Sequence, residues 1–448
     1  MTFWRTDVSA SIVRDPGNVR TLKISKEETL VLIVFFFFAT QLFVVLFLND
    51  DAPNQDVKET LRFGWIPAYI AILALVLPRF QVVLAGARRA PLIVVLNLLC
   101  FSSVLWSVAP ADSARRSVAL LLSTIFGLYI GARFAQVRYL RLLALVFGVV
   151  ILASFLFALL PGQIGVMTKP EDLAGSWRGI YPQKNSLGRV MVLLMMVLAV
   201  IAPRFPAWRN YIRLEFLLAI ALLLLSDSKT SLIVAMVVAA AYCIVSLLRR
   251  RSNPKAALMI SGLLALPVLV VAIFNLDAVF EFFGRDATLT GRTDVWDLIW
   301  EEIQNNYWFG YGYQAFWVDP IGPATRIWLT LKWDAPEVHN GYLELWLGLG
   351  FFGLLIIVTS MTTNFALAWK ASRGADRLAS YWAVLYLTFF ISYNLSESLI
   401  LEQNDIFWVL YVALVVSLDP SPKRYARPSM QRTQRGRYPA LARTWSRS

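Results

Sequence analysis

Apolar stretches close to the roughly 20 residues needed to cross a bilayer recur along most of this chain, and nothing else constrains its fold as strongly. They are continuous runs. Barrel strands would instead alternate over about ten residues, so the spans read as helices. With 58% of residues hydrophobic, a soluble reading would need several very large cores from one chain. The runs predict an all-α polytopic integral membrane protein of about 12 transmembrane helices. These are expected at about 30–48, 65–78, 92–106, 117–132, 140–160, 186–202, 211–226, 230–248, 256–275, 341–362, 379–395 and 405–418. Two of them are short and need flanking residues or neighbours to complete a crossing.

Charge tests the count. Basic residues occupy alternate connections: Arg79, Arg88 and Arg89; Arg133, Arg138 and Arg141; Arg204, Arg209 and Arg213; Arg249, Arg250, Arg251 and Lys255; Lys370, Arg373 and Arg377. Roughly 29 of the 42 Lys/Arg fall on one side and roughly 22 of the 29 Asp/Glu on the other. Such a bias predicts that both termini are cytoplasmic. The organisation expected is a cytoplasmic segment 1–29, helices one to nine over 30–275, a large outer loop 276–340, helices ten to twelve over 341–418, and a basic cytoplasmic tail 419–448. No cleavable signal pattern is expected, because the first apolar run starts near Leu30 after a polar segment. The net charge of +13 suits the anionic inner leaflet. Membrane lipids are therefore the expected contacts of the basic tail, and nucleic acid is not. Cys100 and Cys243 both lie in apolar runs, with neither a disulfide framework nor a zinc spacing.

The outer loop closes on Val338-His339-Asn340-Gly341-Tyr342-Leu343-Glu344, which holds the chain's one histidine. An imidazole where a polar loop meets the membrane is the natural proton-handling group near neutral pH. It can equally serve as an interfacial histidine bonding a loop carbonyl. Glu337, Glu344 and Glu397 are each able to orient the ring. Metal ligation is not expected, since no second His or Cys and no sequence-local carboxylate cluster accompanies it. The loop is rich in tryptophan: Trp296, Trp300, Trp308, Trp317, Trp328 and Trp333, with Trp346 just beyond. Rings of this kind stack on sugars or form an interfacial belt. Gly291 to Trp308 reads as an amphipathic helix, with Trp296 and Trp300 on one face, broken by Gly310-Tyr311-Gly312-Tyr313.

Three helices that run inward carry polar residues at their outer starts. The first begins at Lys184-Asn185-Ser186 with Arg189 a turn later; the second at Ser228-Lys229-Thr230-Ser231; the third at His339-Asn340. A helix N-terminus offers free N–H groups and partial positive charge, which suits phosphate. Lys229, the hydroxyls, Arg189 and Arg292 would complete a diphosphate cradle. The plainer alternative makes Ser228 an N-cap and Lys229 a snorkelling side chain. Glu397 lies at the boundary of the eleventh span, where a carboxylate is expected to have a partner.

Leu225-Ser226-Asp227-Ser228-Lys229-Thr230-Ser231-Leu232, Gly291-Arg292-Thr293-Asp294-Val295-Trp296 with Asn305-Asn306-Tyr307-Trp308-Phe309-Gly310-Tyr311-Gly312, and His339-Asn340-Gly341-Tyr342-Leu343 resemble the O-antigen ligase and polymerase superfamily of bacterial membrane glycosyltransferases. Ser-Lys-Thr-Ser and Ser396-Glu397-Ser398-Leu399 look most like its exopolysaccharide polymerase branch, the succinoglycan type. The resemblance implies a C-type glycosyltransferase-like fold in the bacterial inner membrane, with an active site facing the periplasm. It implies a metal-independent, inverting transferase with no cofactor, whose donor is an undecaprenyl-diphosphate-linked oligosaccharide. His339 matches the family's acceptor-directed histidine and Arg292 its second diphosphate arginine. The first arginine falls on Lys229, which keeps the charge and loses the bidentate fork. Lys184, Asn185, Arg189, Ser228, Asn340, Trp296 and Glu397 are the expected substrate contacts.

The same chemistry follows from the residues: Lys229 and Arg292 stabilise a departing diphosphate while His339 takes the proton of a sugar hydroxyl. Three functions are consistent with it to different degrees. A polymerase adds one lipid-linked repeat unit to another and would work with a chain-length-controlling co-polymerase. A ligase moves the finished glycan to lipid A core or protein. A transporter or flippase would instead place polar groups at the midplane, where this chain shows chiefly the Pro267 interruption.

Overall fold

A computed structural model describes residues 24–40, 63–160, 164–168, 173–249, 292–318, 322–332, 335–372 and 377–418. Helices occupy all or part of eleven of the twelve expected spans; the run at 256–275 lies outside the described residues, as do 1–23, 276–291 and 419–448. In chain order they are α1 (Lys26–Thr40), α2 (Ile66–Val76), α3 (Phe80–Arg89), α4 (Pro91–Ser102), α5 (Pro110–Arg133), α6 (Gln136–Leu159) and α7 (Lys184–Ile201). Then follow α8 (Arg209–Leu225), α9 (Lys229–Arg249), α10 (Arg292–Asn305), α11 (Ala324–Leu331), α12 (Gly341–Ala371), α13 (Arg377–Tyr393) and α14 (Ile406–Leu418). No strand occurs among the described residues beyond one isolated bridge, Val166 to Trp177.

Five segments there are long and apolar enough to cross a membrane: Ile66–Arg89, Gln136–Leu159, Lys184–Arg204, Lys229–Leu247 and Gly341–Ala371. The first joins α2 to α3 through a short turn of 3-10 helix at Leu77–Arg79. Pro78 therefore bends the second span rather than ending it, and Arg88 and Arg89, expected in a loop, close α3. Large apolar side chains such as Leu152 and Leu217 remain exposed on α6 and α8, where lipid would cover them.

Ion pairs gather one end of the bundle. Glu27 pairs with Arg133 at 2.9 Å and with Arg79 at 3.8 Å, and Glu28 with Arg138 at 2.7 Å and Arg141 at 3.2 Å. The start of α1 thus meets two of the basic connections that the charge pattern assigns to one side. The outer loop and the polar starts of α7, α9 and α12 meet at the other end.

The core is built around α14, whose residues from Ile406 to Val416 are all buried. It is apolar on every face, as a helix enclosed by others must be. Against it lies α5, where Gly127 and Gly131 repeat at the small-xxx-small spacing. A Cβ at Gly131 would stand 2.5 Å from the Ala413 carbonyl oxygen, so the two backbones touch there. With 13 residues, α14 is only about 20 Å long. Chain 394–405 fills the remaining depth as a buried turn. Irregular backbone is tolerated at such depth only where protein satisfies it. Asn394 does so: its amide oxygen accepts from Leu399 N–H at 2.8 Å and Ile400 N–H at 3.1 Å, and its amide N–H donates to the Phe390 carbonyl at 2.7 Å.

The outer loop has a core of its own, formed by Val295, Ile299, Ile303, Tyr311, Phe316, Ile327, Val338 and Leu347. Its first helix runs Arg292–Asn305, ending three residues short of the expected boundary. Helix α12 breaks at Gly350, φ 67°, and segment 307–312 laces into the break. Tyr311 N–H donates to the Leu347 carbonyl, Gly312 N–H to Gly348, and Phe351 N–H to Tyr307, each at 2.9 Å. A side chain at Gly350 would collide with the Trp308 carbonyl.

Candidate active site

The three polar helix starts converge. Ser228, at the head of α9, donates to the Asn185 side chain of α7 at 2.9 Å, and Asn185 donates to Glu397 at 2.9 Å. Glu397 in turn faces His339, just before α12. The Asn340 side chain caps α12, accepting from Tyr342 N–H at 3.0 Å and Leu343 N–H at 3.2 Å, and donates to the Leu395 carbonyl at 3.3 Å. Gly341 N–H donates to the Asn394 carbonyl at 2.9 Å, which seats α12 against the 394–405 turn. No substituent fits at Gly341, because a Cβ would run into Asn394. Two segments far apart in sequence, each unremarkable alone, are thereby joined at the imidazole.

His339 is held at φ 55°, in the left-handed region that non-glycine residues adopt uncommonly and histidine more readily than most. The restraints are visible. Val338 is fully buried, its N–H donates to Glu344 at 2.8 Å and its carbonyl accepts the Trp296 indole at 2.9 Å. Strain kept in place by flanking bonds is a mark of a functional position. The imidazole Nδ1 lies 3.2 Å from Glu337 Oε1 and 3.9 Å from Glu397 Oε2. Nδ1 makes no hydrogen bond of good geometry to either carboxylate, so the pairing is one of charge and proximity. Burial alone would disfavour the charged ring, but the nearby Glu337 and Glu397 carboxylates outweigh it and hold the pKa up at about 9.

Of the cations, Lys184 is mostly buried and pairs with Asp227 at 3.3 Å. Arg189, a turn beneath, lies 3.7 Å from Asp405 and over the Phe407 ring. Lys229 opens α9, is half-buried and meets no carboxylate among the described residues. Arg292 opens α10; its side chain lies outside the described residues. Its position is one turn before Trp296, on the side of α10 that reaches Val338.

Trp296, expected against substrate, braces the histidine's neighbour. Trp317 donates to Glu344 at 3.1 Å, Trp328 to the Ala335 carbonyl at 2.9 Å and Trp346 to the Tyr307 carbonyl at 3.1 Å. These indoles scaffold the loop, whereas Trp300 and Trp308 are largely exposed. Glu344 is not a partner of the ring: it ties Val338 to Trp317. Sequence reasoning missed Asp405, although it is a carboxylate at a span boundary like Glu397, and Tyr393, which only the fold brings to Asn185. It also found no carboxylate cluster near His339. The fold supplies one, with ligand atoms of Glu337, His339 and Glu397 all within 4.8 Å of one another, a spacing that can hold a proton or a metal ion.

Residues 214–358 match the model of the O-antigen ligase family. That stretch contains Ser228, Lys229, Arg292, Trp296, His339 and Asn340, while Asn185, Arg189 and Glu397 lie outside it. The chain is also 27% identical over 330 residues to the exopolysaccharide production protein ExoQ of Rhizobium meliloti strain 1021, covering 70% of this chain and 74% of that protein. With its apolar helices, the chain is a multi-pass membrane protein.

Proposed function

We propose that the protein polymerises an exported polysaccharide. It transfers glycan from undecaprenyl diphosphate to a sugar hydroxyl of a second lipid-linked repeat unit, at the outer face of a bacterial inner membrane. The observation that carries this reading is an imidazole whose Nδ1 faces two carboxylates, Glu337 and Glu397, the second joined through Asn185 and Ser228 to the start of the helix that Lys229 opens. The orientation follows the charge pattern, with the basic connections and both termini cytoplasmic and the His339 loop outside.

In the proposed step the neutral Nε2 of His339 takes the hydroxyl proton as that oxygen attacks the anomeric carbon. The bond from this carbon to the diphosphate oxygen breaks, and the lipid diphosphate leaves with the electron pair. Lys229, Arg292 and the N–H groups opening α9 stabilise its charge. One displacement inverts the anomeric centre. No step needs a metal, and Glu337 and Glu397 serve to hold the proton.

Ligation to lipid A core or protein uses the same donor half of the site. Polymerisation is preferred because the curated relative is a protein of exopolysaccharide production. Purified protein in lipid vesicles, given only lipid-linked repeat units, should yield a ladder of longer lipid-linked chains. No ladder, with transfer on addition of lipid A core, would make it a ligase.

A further inference from the structure

We propose that Asn185 is a positioning residue for proton transfer, holding Glu397 behind His339 through a one-way chain of hydrogen bonds that begins at Ser231. The inference rests on the reading of His339 as proton acceptor and reassigns Asn185 and Ser228 from substrate contacts to internal machinery.

Direction follows from donor counting. Glu397 is a carboxylate and only accepts, so the Asn185 group facing it at 2.9 Å is the amide N–H. The Asn185 oxygen is then left to accept, and Ser228 donates to it at 2.9 Å. A serine hydroxyl has one proton. Ser228 has spent its own, so across the 2.9 Å contact with Ser231 it accepts. Ser231 has likewise spent its proton, so the Tyr393 hydroxyl, 3.0 Å from Ser231 Oγ and 3.2 Å from the Asn185 carbonyl, shares its one proton between these two acceptors. The bonds from Ser231 through Ser228 and Asn185 all point toward Glu397. Aligned bonds reinforce one another in a low-dielectric interior, and this chain ends on a charge it can stabilise.

Burial rules out a second use for these groups. Ser228, Ser231 and Tyr393 are all fully buried, so none can reach a ligand. Packing fixes their spacing: a Cβ at Gly188, one turn along α7 from Asn185, would lie 2.5 Å from Ser231 Oγ. Lys229 is covalently next to Ser228. Asn185 therefore sets, through two bonds, both the carboxylate behind the imidazole and the start of the helix that presents the cation. The other titratable groups around His339 and Glu397 are Glu337 on the same loop, Arg189 and Asp405 a turn beneath, Tyr393 on α13, the Lys184–Asp227 pair and Lys229 at the head of α9, and Glu344 in α12.

The test is steady-state elongation from pH 6 to 10 by the full-length protein in lipid vesicles, with donor concentration varied. Asn185→Leu keeps the volume and removes both bonds. It should lower kcat several-fold at pH 10, where the ring is neutral in both proteins, leave KM for the lipid-linked donor within about twofold, and move the rising limb of the pH profile to lower pH, because a displaced Glu397 supports the imidazolium less. Asn185→Asp can donate to Glu397 only when protonated, so its rate relative to wild type should fall as pH rises. Ser231→Ala, at the far end of the chain, should shift the limb in the same direction by less, and keeps the test open if Asn185→Leu does not fold. A raised KM with kcat intact would make Asn185 a substrate ligand and overturn the proposal. So would an unmoved limb in both Asn185→Leu and Ser231→Ala. A rising limb that survives His339→Gln would instead overturn the underlying reading of His339, and this inference with it.

Discussion

Replacing Glu337 by Gln should make two pH profiles cross. In the wild type His339 has a pKa of about 9, so at pH 7 only about 1% of the rings are neutral and able to accept a proton. Glu337 is the nearer carboxylate, at 3.2 Å against 3.9 Å for Glu397. Removing it should forfeit roughly half of the rise above the ordinary 6.5, moving the midpoint down by about 1–1.5 in pH. The neutral fraction at pH 7 then grows more than about tenfold. A weaker base is also a poorer one, and a Brønsted slope of about 0.5 costs roughly fourfold in intrinsic rate. Glu337→Gln should therefore be about fourfold faster than wild type at pH 7 and about fourfold slower at pH 10. The assay is initial-rate elongation of lipid-linked repeat units in vesicles, with expression and donor binding matched. Two profiles with one midpoint, differing only in height, would refute the electrostatic argument.

Other outcomes follow from the same geometry. Lys229→Ala should insert normally and lose roughly ten- to a hundred-fold in rate, whereas Lys229→Arg retains much of it, as measured by polymer yield per expressed protein. Elongation should survive excess chelator; loss of activity restored by a divalent ion would assign Glu337, His339 and Glu397 to a metal instead. A raised histidine pKa stabilises the fold fully below pH 6.5 and loses that contribution as pH rises through about 9. Thermal unfolding followed by tryptophan fluorescence should thus fall more between pH 6 and pH 9.5 in wild type than in His339→Asn. Glu402, which burial and the nearby Asp405 and Glu337 charges push up to about 8, also weakens the alkaline fold but is common to both proteins.

Much of the fold was legible because bilayer thickness sets the length of an apolar run, and the basic connections then test the count. The three helix starts were legible for a related reason: Lys229 and His339 are polar residues where apolar helices begin. What joins them was not. The Asn185–Glu397 bond links positions more than two hundred residues apart, and no local pattern encodes it. Tryptophan misled for the opposite reason. An indole N–H seeks any acceptor, so composition alone does not separate a sugar platform from the braces that Trp296, Trp317, Trp328 and Trp346 provide. The pKa of His339 was likewise out of reach, since Glu397 arrives only through the 394–405 turn.

The central claim is that His339 takes the acceptor's proton while other residues hold the diphosphate. It is tested most directly by His339→Gln, whose side chain can hydrogen-bond but cannot accept a proton at neutral pH. Elongation of lipid-linked repeat units should fall by about 10²–10⁴-fold while binding of the donor lipid to the same preparation stays close to wild type. Near wild-type elongation by His339→Gln would contradict the account and move the search for the base to Glu337 and Glu397.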